Sequence, residues 1–198
     1  MEMLFVMGLL ALNGFISWLN CRSAGMVWAE AKKLGGFMRV LVWCAAIQSA
    51  VGFSSILIVF LAFGAYIGGY LDQAHFSGAM SLWYLLVIFP ALGSGLIITI
   101  HSLREAWRTR RIGDIGVAAW NTFAQGYNMY NALDGVPKAF TELGSLFKGS
   151  NSDDAKSRMV ALLLVIVVLA IVGGVIITAL LINHYAKQTR PEAVPVAA

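Results

Sequence analysis

The chain has 198 residues, of which 59% are hydrophobic and only 12% are charged, and it carries a net charge of +4. A water-soluble globule of this size needs more charged surface, so the composition excludes that class. The length fits one domain. The positive charge does not indicate a nucleic-acid partner, because the basic residues adjoin hydrophobic runs, where anionic lipid headgroups are the nearer partner.

Four apolar segments predict membrane-spanning helices, since a crossing needs about 20 apolar residues. The first is short and contains Asn13, and it also fits a cleaved signal peptide; we favour a retained span, because Glu2 replaces the usual basic start. We therefore predict an all-α membrane protein, one four-helix transmembrane domain over 1–186 with short amphipathic interfacial helices on the cytoplasmic side, and a flexible tail over 187–198. The predicted spans are 3–19, 40–70, 79–103 and 159–183.

The basic residues predict the orientation of the chain. Twelve of the fourteen Lys and Arg residues fall in 20–39 and 104–158. Because basic loops stay on the cytoplasmic side, both segments are predicted to be cytoplasmic, and both termini are predicted to lie outside a bacterial inner membrane. Lys187 and Arg190 are then the only basic residues on the outer side.

A cluster of arginines follows the third predicted span directly. Long basic side chains beside a span reach the headgroup layer, so we predict that this cluster binds lipid headgroups. Its members are Arg104, Arg108, Arg110 and Arg111.

Small residues recur every four positions within three spans, which allows helices in a bilayer to approach closely. This spacing predicts helix-packing contacts at Gly64 and Gly68, Ala91 and Gly95, and Ala170 and Gly174. Pro90 lies within the third span and predicts a kink, which either shapes the bundle or acts as a hinge.

The predicted spans lack reactive chemistry. Residues 40–71, 76–103 and 159–186 contain no Asp, Glu, Lys or Arg, which argues against ion-coupled transporters and voltage sensors. Hydrolase and metalloprotease motifs are also missing. We therefore expect no enzymatic activity, no cofactor and no metal. One weak alternative stays open, a metal or pH site formed by His75 and His184 at the outer face.

An uncharged stretch over 115–133 carries an aromatic stripe at helical spacing. It predicts an interfacial helix over 112–133, with a turn at Asp134–Gly135 and a short helix from Pro137. Three interpretations stay open: a helix lying flat at the membrane surface, a docking surface for another protein, and a re-entrant pore loop. The docking residues are Trp120, Phe123, Tyr127 and Tyr130.

A second surface helix is predicted within 20–39, capped by Ser23 and ended by Gly35–Gly36. No reactive group is left to assign, so we predict a non-enzymatic subunit of a larger membrane assembly, such as a secretion or conjugation complex. Its expected partners are membrane lipids and other membrane protein subunits, in a homo- or hetero-oligomer. The alternative is a small self-oligomerising channel or holin-like pore, based on Pro90, the glycine motifs and the Ser/Gln face of the second span.

Overall fold

The computed structural model describes residues 2–148 and 153–189. Within these ranges the chain forms five long helices and no strand, which confirms the predicted all-α class. The helices are α1 (Glu2–Leu34), α2 (Gly36–Ile67), α3 (Gln73–Thr109), α4 (Ile112–Lys148) and α5 (Asp153–Gln188).

Three of the helices in the described ranges are long and apolar enough to cross a membrane. They are α2, α3 and the part of α5 over Ser157–Gln188, with mean hydropathies of 2.2, 2.0 and 3.4. The third and fourth predicted spans lie within α3 and α5, whereas the second, predicted over 40–70, ends early because α2 stops at Ile67. Over its described residues, α1 is not among the helices that meet this measure of length and composition.

The helices end where glycine or a capping residue permits it. Gly35, with φ of 100°, separates α1 from α2, so the predicted break at Gly35–Gly36 is confirmed. The predicted cap at Ser23 is wrong, because α1 runs through it as one continuous helix. Asp72 caps α3, where its carboxylate accepts a hydrogen bond from the His75 amide at 2.8 Å. This bond lowers the pKa of Asp72 below its ordinary value.

Consecutive helices run antiparallel. Ser49 of α2 contacts Ser17 of α1, and Asn13 contacts Ser55 farther along. Gly173 of α5 lies against Leu57 of α2, whereas Ile182 packs with Val42 near the opposite end of α2. The bundle therefore has two ends, of which the first, here called the basic end, holds the α1–α2 and α3–α4 junctions and the C-terminus of α5. The opposite end holds the α2–α3 turn, the C-terminus of α4 and the start of α5.

The helix α4 differs from its predicted form. It continues through Asp134, Gly135 and Pro137 to Lys148, so the predicted turn and the separate short helix are wrong. Asp134 is bonded to Lys138 one turn along at 2.6 Å, and Pro137 removes only one backbone donor.

The direction of α4 also differs from the prediction of a helix lying flat at the membrane surface. It runs antiparallel along α3 for nearly its full length, from the contact of Thr109 with Asp114 to that of Gly78 with Leu146. Residues 104–148 consequently extend from one end of the bundle to the other, and α5 begins at the opposite end.

Two further predictions concern the outer face. His75 and His184 lie at opposite ends of the bundle, His75 beside Asp72 and His184 against Tyr185, so a shared metal or pH site is wrong. The predicted tail begins inside α5, which extends to Gln188. Residues 190–198 of that tail lie outside the described ranges.

Candidate functional site

The polar side of α4 faces α3. Gln125 is only 6% exposed, and its side-chain amide donates to the Leu92 carbonyl at 2.9 Å. Thr99 Oγ1 donates to the Asn121 carbonyl at 3.3 Å, and Tyr84 donates to the Asn131 carbonyl at 3.1 Å. The side of α4 that carries Gln125 therefore faces the bundle, where Asn121 and Asn131 are half-buried.

A second glutamine reaches the same part of α3 from α2. Gln48 Nε2 donates to the Ala91 carbonyl at 2.6 Å and to Ser94 Oγ at 2.9 Å. A Cβ atom added at Gly95 would lie 2.2 Å from Gln125 Oε1 and 3.1 Å from Gln48 Nε2. The two glutamine amides thus meet over Gly95, where the missing side chain leaves room for both.

The aromatic side of α4 faces away from the bundle. The four predicted docking residues are between 51% and 71% exposed. The Trp120 and Phe123 rings lie 6.3 Å apart, which makes them one continuous aromatic surface. We call the surface formed by Trp120, Phe123, Tyr127 and Tyr130 the aromatic face.

The arginine cluster lies at the basic end, where α3 turns into α4, and all four of its side chains are exposed. Arg110 adopts a left-handed conformation with φ of 53°. Arg108 forms an ion pair with Glu105 at 2.5 Å. The other three guanidinium groups have no ion-pair partner among the described residues.

The predicted packing residues fall into two groups. Ala170 is fully buried, and a Cβ atom added at Gly174 would lie 2.5 Å from the Ala50 carbonyl oxygen, so α5 approaches the backbone of α2 there. Gly64 is exposed and has no atom within 4 Å of an added Cβ, and Gly68 meets only its own turn. The monomer therefore brings Gly174 into a helix contact but not Gly64 or Gly68.

Pro90 lies within α3, which is helical on both sides of it. Ser94 Oγ donates to the Pro90 carbonyl at 2.6 Å, and the two glutamines bond to Ala91 and Leu92 directly after it. The segment that follows the proline is thus held from α2 and α4.

Sequence reasoning missed two close contacts between helices. A Cβ atom at Gly52 would lie 1.9 Å from Ser17 Oγ, and one at Gly25 would lie 2.8 Å from the Ile182 carbonyl oxygen. Neither glycine belongs to the small-residue repeats that the sequence analysis singled out. Asn13 donates to Ser55 Oγ at 2.5 Å, and an amide within an apolar run is the sequence signal that indicates this contact between α1 and α2.

No family model, no curated protein and no solved structure matches this chain. The fold defines the class only: an all-α protein in which residues 2–148 and 153–189 include three helices that are long and apolar enough to cross a membrane. The surfaces of the protein itself are the evidence for its function.

Proposed function

We propose that the protein is a non-enzymatic subunit of a larger inner-membrane assembly of the secretion or conjugation type, and that it binds its partner through the aromatic face. The observation that carries this proposal is the polarity of α4. The buried amide of Gln125 faces α3 and the four rings face outward, the reverse of a helix exposed to water. Trp, Tyr and Phe are the residues that most often anchor protein interfaces.

The length of the uncharged stretch supports a position of α4 within the membrane. Residues 115–133 are free of charge, and a helix of that length measures about 28 Å, close to the hydrocarbon thickness. Gln125 within it donates to the Leu92 carbonyl of α3, and α3 is itself apolar enough to span. In this topology all five helices cross, α1 and α4 being the two that composition alone does not select.

Exposed polar atoms in the aromatic face favour a protein over lipid as its neighbour. Tyr127 lies within the uncharged stretch, about 9 Å from its end, and its phenol oxygen has no hydrogen-bond partner among the described residues. Acyl chains offer no acceptor, and an unpaired polar group in hydrocarbon is costly. A partner helix that supplies an acceptor satisfies this phenol.

The charges of the two ends support an orientation. The described helices and junctions place nine Lys and Arg residues in the half toward the basic end and four toward the opposite end, where Lys138, Lys148, Lys156 and Arg158 lie. By the positive-inside rule the basic end is cytoplasmic. Because α5 ends there, its C-terminus is cytoplasmic in this proposal, which replaces the predicted outer position and also moves Lys187 to the basic side.

Site-specific photo-crosslinking in native membranes tests the docking role. A benzophenone side chain at Phe123 or Tyr127 is expected to give one discrete protein adduct. The matched control places it at Phe60 or Phe63, two exposed aromatics three positions apart on α2, where we expect no such adduct. In the Phe123→Ala, Tyr127→Ala double variant the adduct from Tyr130 should disappear while membrane insertion is retained.

Equal adducts from the α2 and α4 positions would contradict the proposal. So would an adduct from Tyr130 that the double variant leaves unchanged, because two of the four anchors would then contribute nothing to binding.

The structure argues against the channel alternative. The hydroxyls of Ser49 and Ser54 are buried, and Gln48 is bonded to α3. The polar face of α2 is therefore used inside the monomer rather than offered to a shared lumen. Conductance of the purified protein in planar bilayers would overturn this conclusion.

A further inference from the structure

A groove of about 660 Å³ lies at the basic end, between α2 and the last turns of α1 and α5. Its volume falls within the range of about 300–1,000 Å³ that is typical of sites for small ligands. Its walls are mostly apolar, with small side chains that leave the space open. They include Val42, Ala46, Ile47, Val175, Ala179 and Ile182.

The end of the groove nearest the helix termini is basic. Lys33 of α1 and Lys187 of α5 both line it and are both exposed. Neither ammonium group has an ion-pair or hydrogen-bond partner among the described residues. The described lining residues contain no Asp or Glu, so nothing in the lining neutralises the two charges.

Two tryptophans stand beside the lysines. Trp28 and Trp43 line the groove, and their rings meet edge to face at 6.1 Å. Tryptophan is enriched at the level of lipid headgroups. The groove therefore combines an apolar interior, an aromatic rim and two unpaired cations, in the order in which a phospholipid presents its chain, glycerol region and phosphate.

We propose that the groove binds one anionic phospholipid, with an acyl chain along the apolar walls and the headgroup phosphate between Lys33 and Lys187. Charge complementarity selects this occupant, because basic pockets between membrane helices attract anionic headgroups. A soluble phosphate makes no use of the apolar walls. The site is distinct from the arginine cluster, which lies at the α3–α4 junction beside a smaller pocket of about 440 Å³ lined by Trp107 and Arg110.

Native mass spectrometry of the full-length protein tests the proposal, after reconstitution with equal amounts of phosphatidylglycerol and phosphatidylcholine. We expect one retained phosphatidylglycerol and a preference over phosphatidylcholine of about thirtyfold, from two lysines acting together. The Lys33→Gln, Lys187→Gln variant should lose this preference. The charge-matched control Lys138→Gln, Arg158→Gln removes two exposed basic residues at the opposite end of the bundle and should keep it.

A second variant separates the acyl chain from the charge. Ala179→Leu fills the groove and leaves both lysines in place, so retention of either lipid should fall. Ala161→Leu makes the same change at an exposed position of α5 and should have no effect. Circular dichroism confirms that each variant is folded.

Three results would overturn the proposal. The first is unchanged preference in the lysine variant, and the second is unchanged retention in Ala179→Leu. The third is a wild-type dimer that Ala179→Leu converts to a monomer without changing the bound lipid, since a second copy of the chain would then be the occupant.

Discussion

Glycine positions in this chain differ in what surrounds them, and their surroundings decide what each one contributes. At Gly174 the neighbours of an added Cβ are the Ala50 carbonyl oxygen at 2.5 Å and the Ser54 amide nitrogen at 2.7 Å. Both are backbone atoms of α2, which cannot move without shifting the whole helix. At Gly93 and Gly64 the same added atom meets nothing.

Gly174→Ala is expected to destabilise the protein by about 1–3 kcal/mol, the usual cost of overpacking a well-fitted contact. Gly93→Ala is the matched control and should cause no loss. Thermal unfolding in detergent, followed by near-ultraviolet circular dichroism, measures both. Equal midpoints for the two variants would show that α5 does not approach α2 as closely as described.

Among the helices, α4 is the one whose predicted and observed surroundings differ, because it packs along α3. The sequence shows its aromatic stripe, its amides and its lack of charge, and from these a surface helix is the natural prediction. The sequence does not show that the Leu92 carbonyl of α3 accepts a hydrogen bond from Gln125. It also does not show that Tyr84 of α3 donates to the Asn131 carbonyl of α4. Because a neighbouring helix satisfies the Gln125 amide, this stretch suits a membrane interior better than its composition alone indicates.

Gln125→Leu tests the contact between α3 and α4. The variant removes the hydrogen bond to Leu92, which contributes about 0.6–1.5 kcal/mol in comparable contacts. Backbone hydrogen exchange over residues 115–133 should then accelerate by about threefold to tenfold. Asn128→Leu is the control, because Asn128 is half-buried on the same helix and has no hydrogen bond among the described residues. Equal exchange rates in the two variants would contradict a stabilising contact between Gln125 and α3.

At the scale of the whole molecule, the parts that could be predicted from the sequence are those set by local composition. Long apolar runs locate α2, α3 and most of α5, and Gly35 ends α1 because it adopts a conformation that other residues avoid. The arrangement of helices depends on which surfaces meet. Equivalent small-residue patterns at Gly64 and Gly174 therefore had different outcomes, and isolated glycines such as Gly52 were missed.

The orientation of the chain also depends on which helices meet, and the sequence alone does not reveal this. Counting basic residues along the sequence treats 104–158 as a single loop, because nothing local reveals that α4 returns along α3. The antiparallel pairing divides that segment between the two ends of the bundle. It also places the end of α5 with the arginine cluster.

Cysteine accessibility in intact cells tests the central claim, that α4 crosses the membrane beside α3. In a Cys21→Ser, Cys44→Ser background, single cysteines at Arg111, Ser145 and Gln188 report the α3–α4 junction, the end of α4 and the end of α5. If α4 crosses, an impermeant maleimide labels Ser145→Cys from outside. Arg111→Cys and Gln188→Cys then react only after permeabilisation. Labelling of Ser145→Cys and Arg111→Cys from the same side would contradict it.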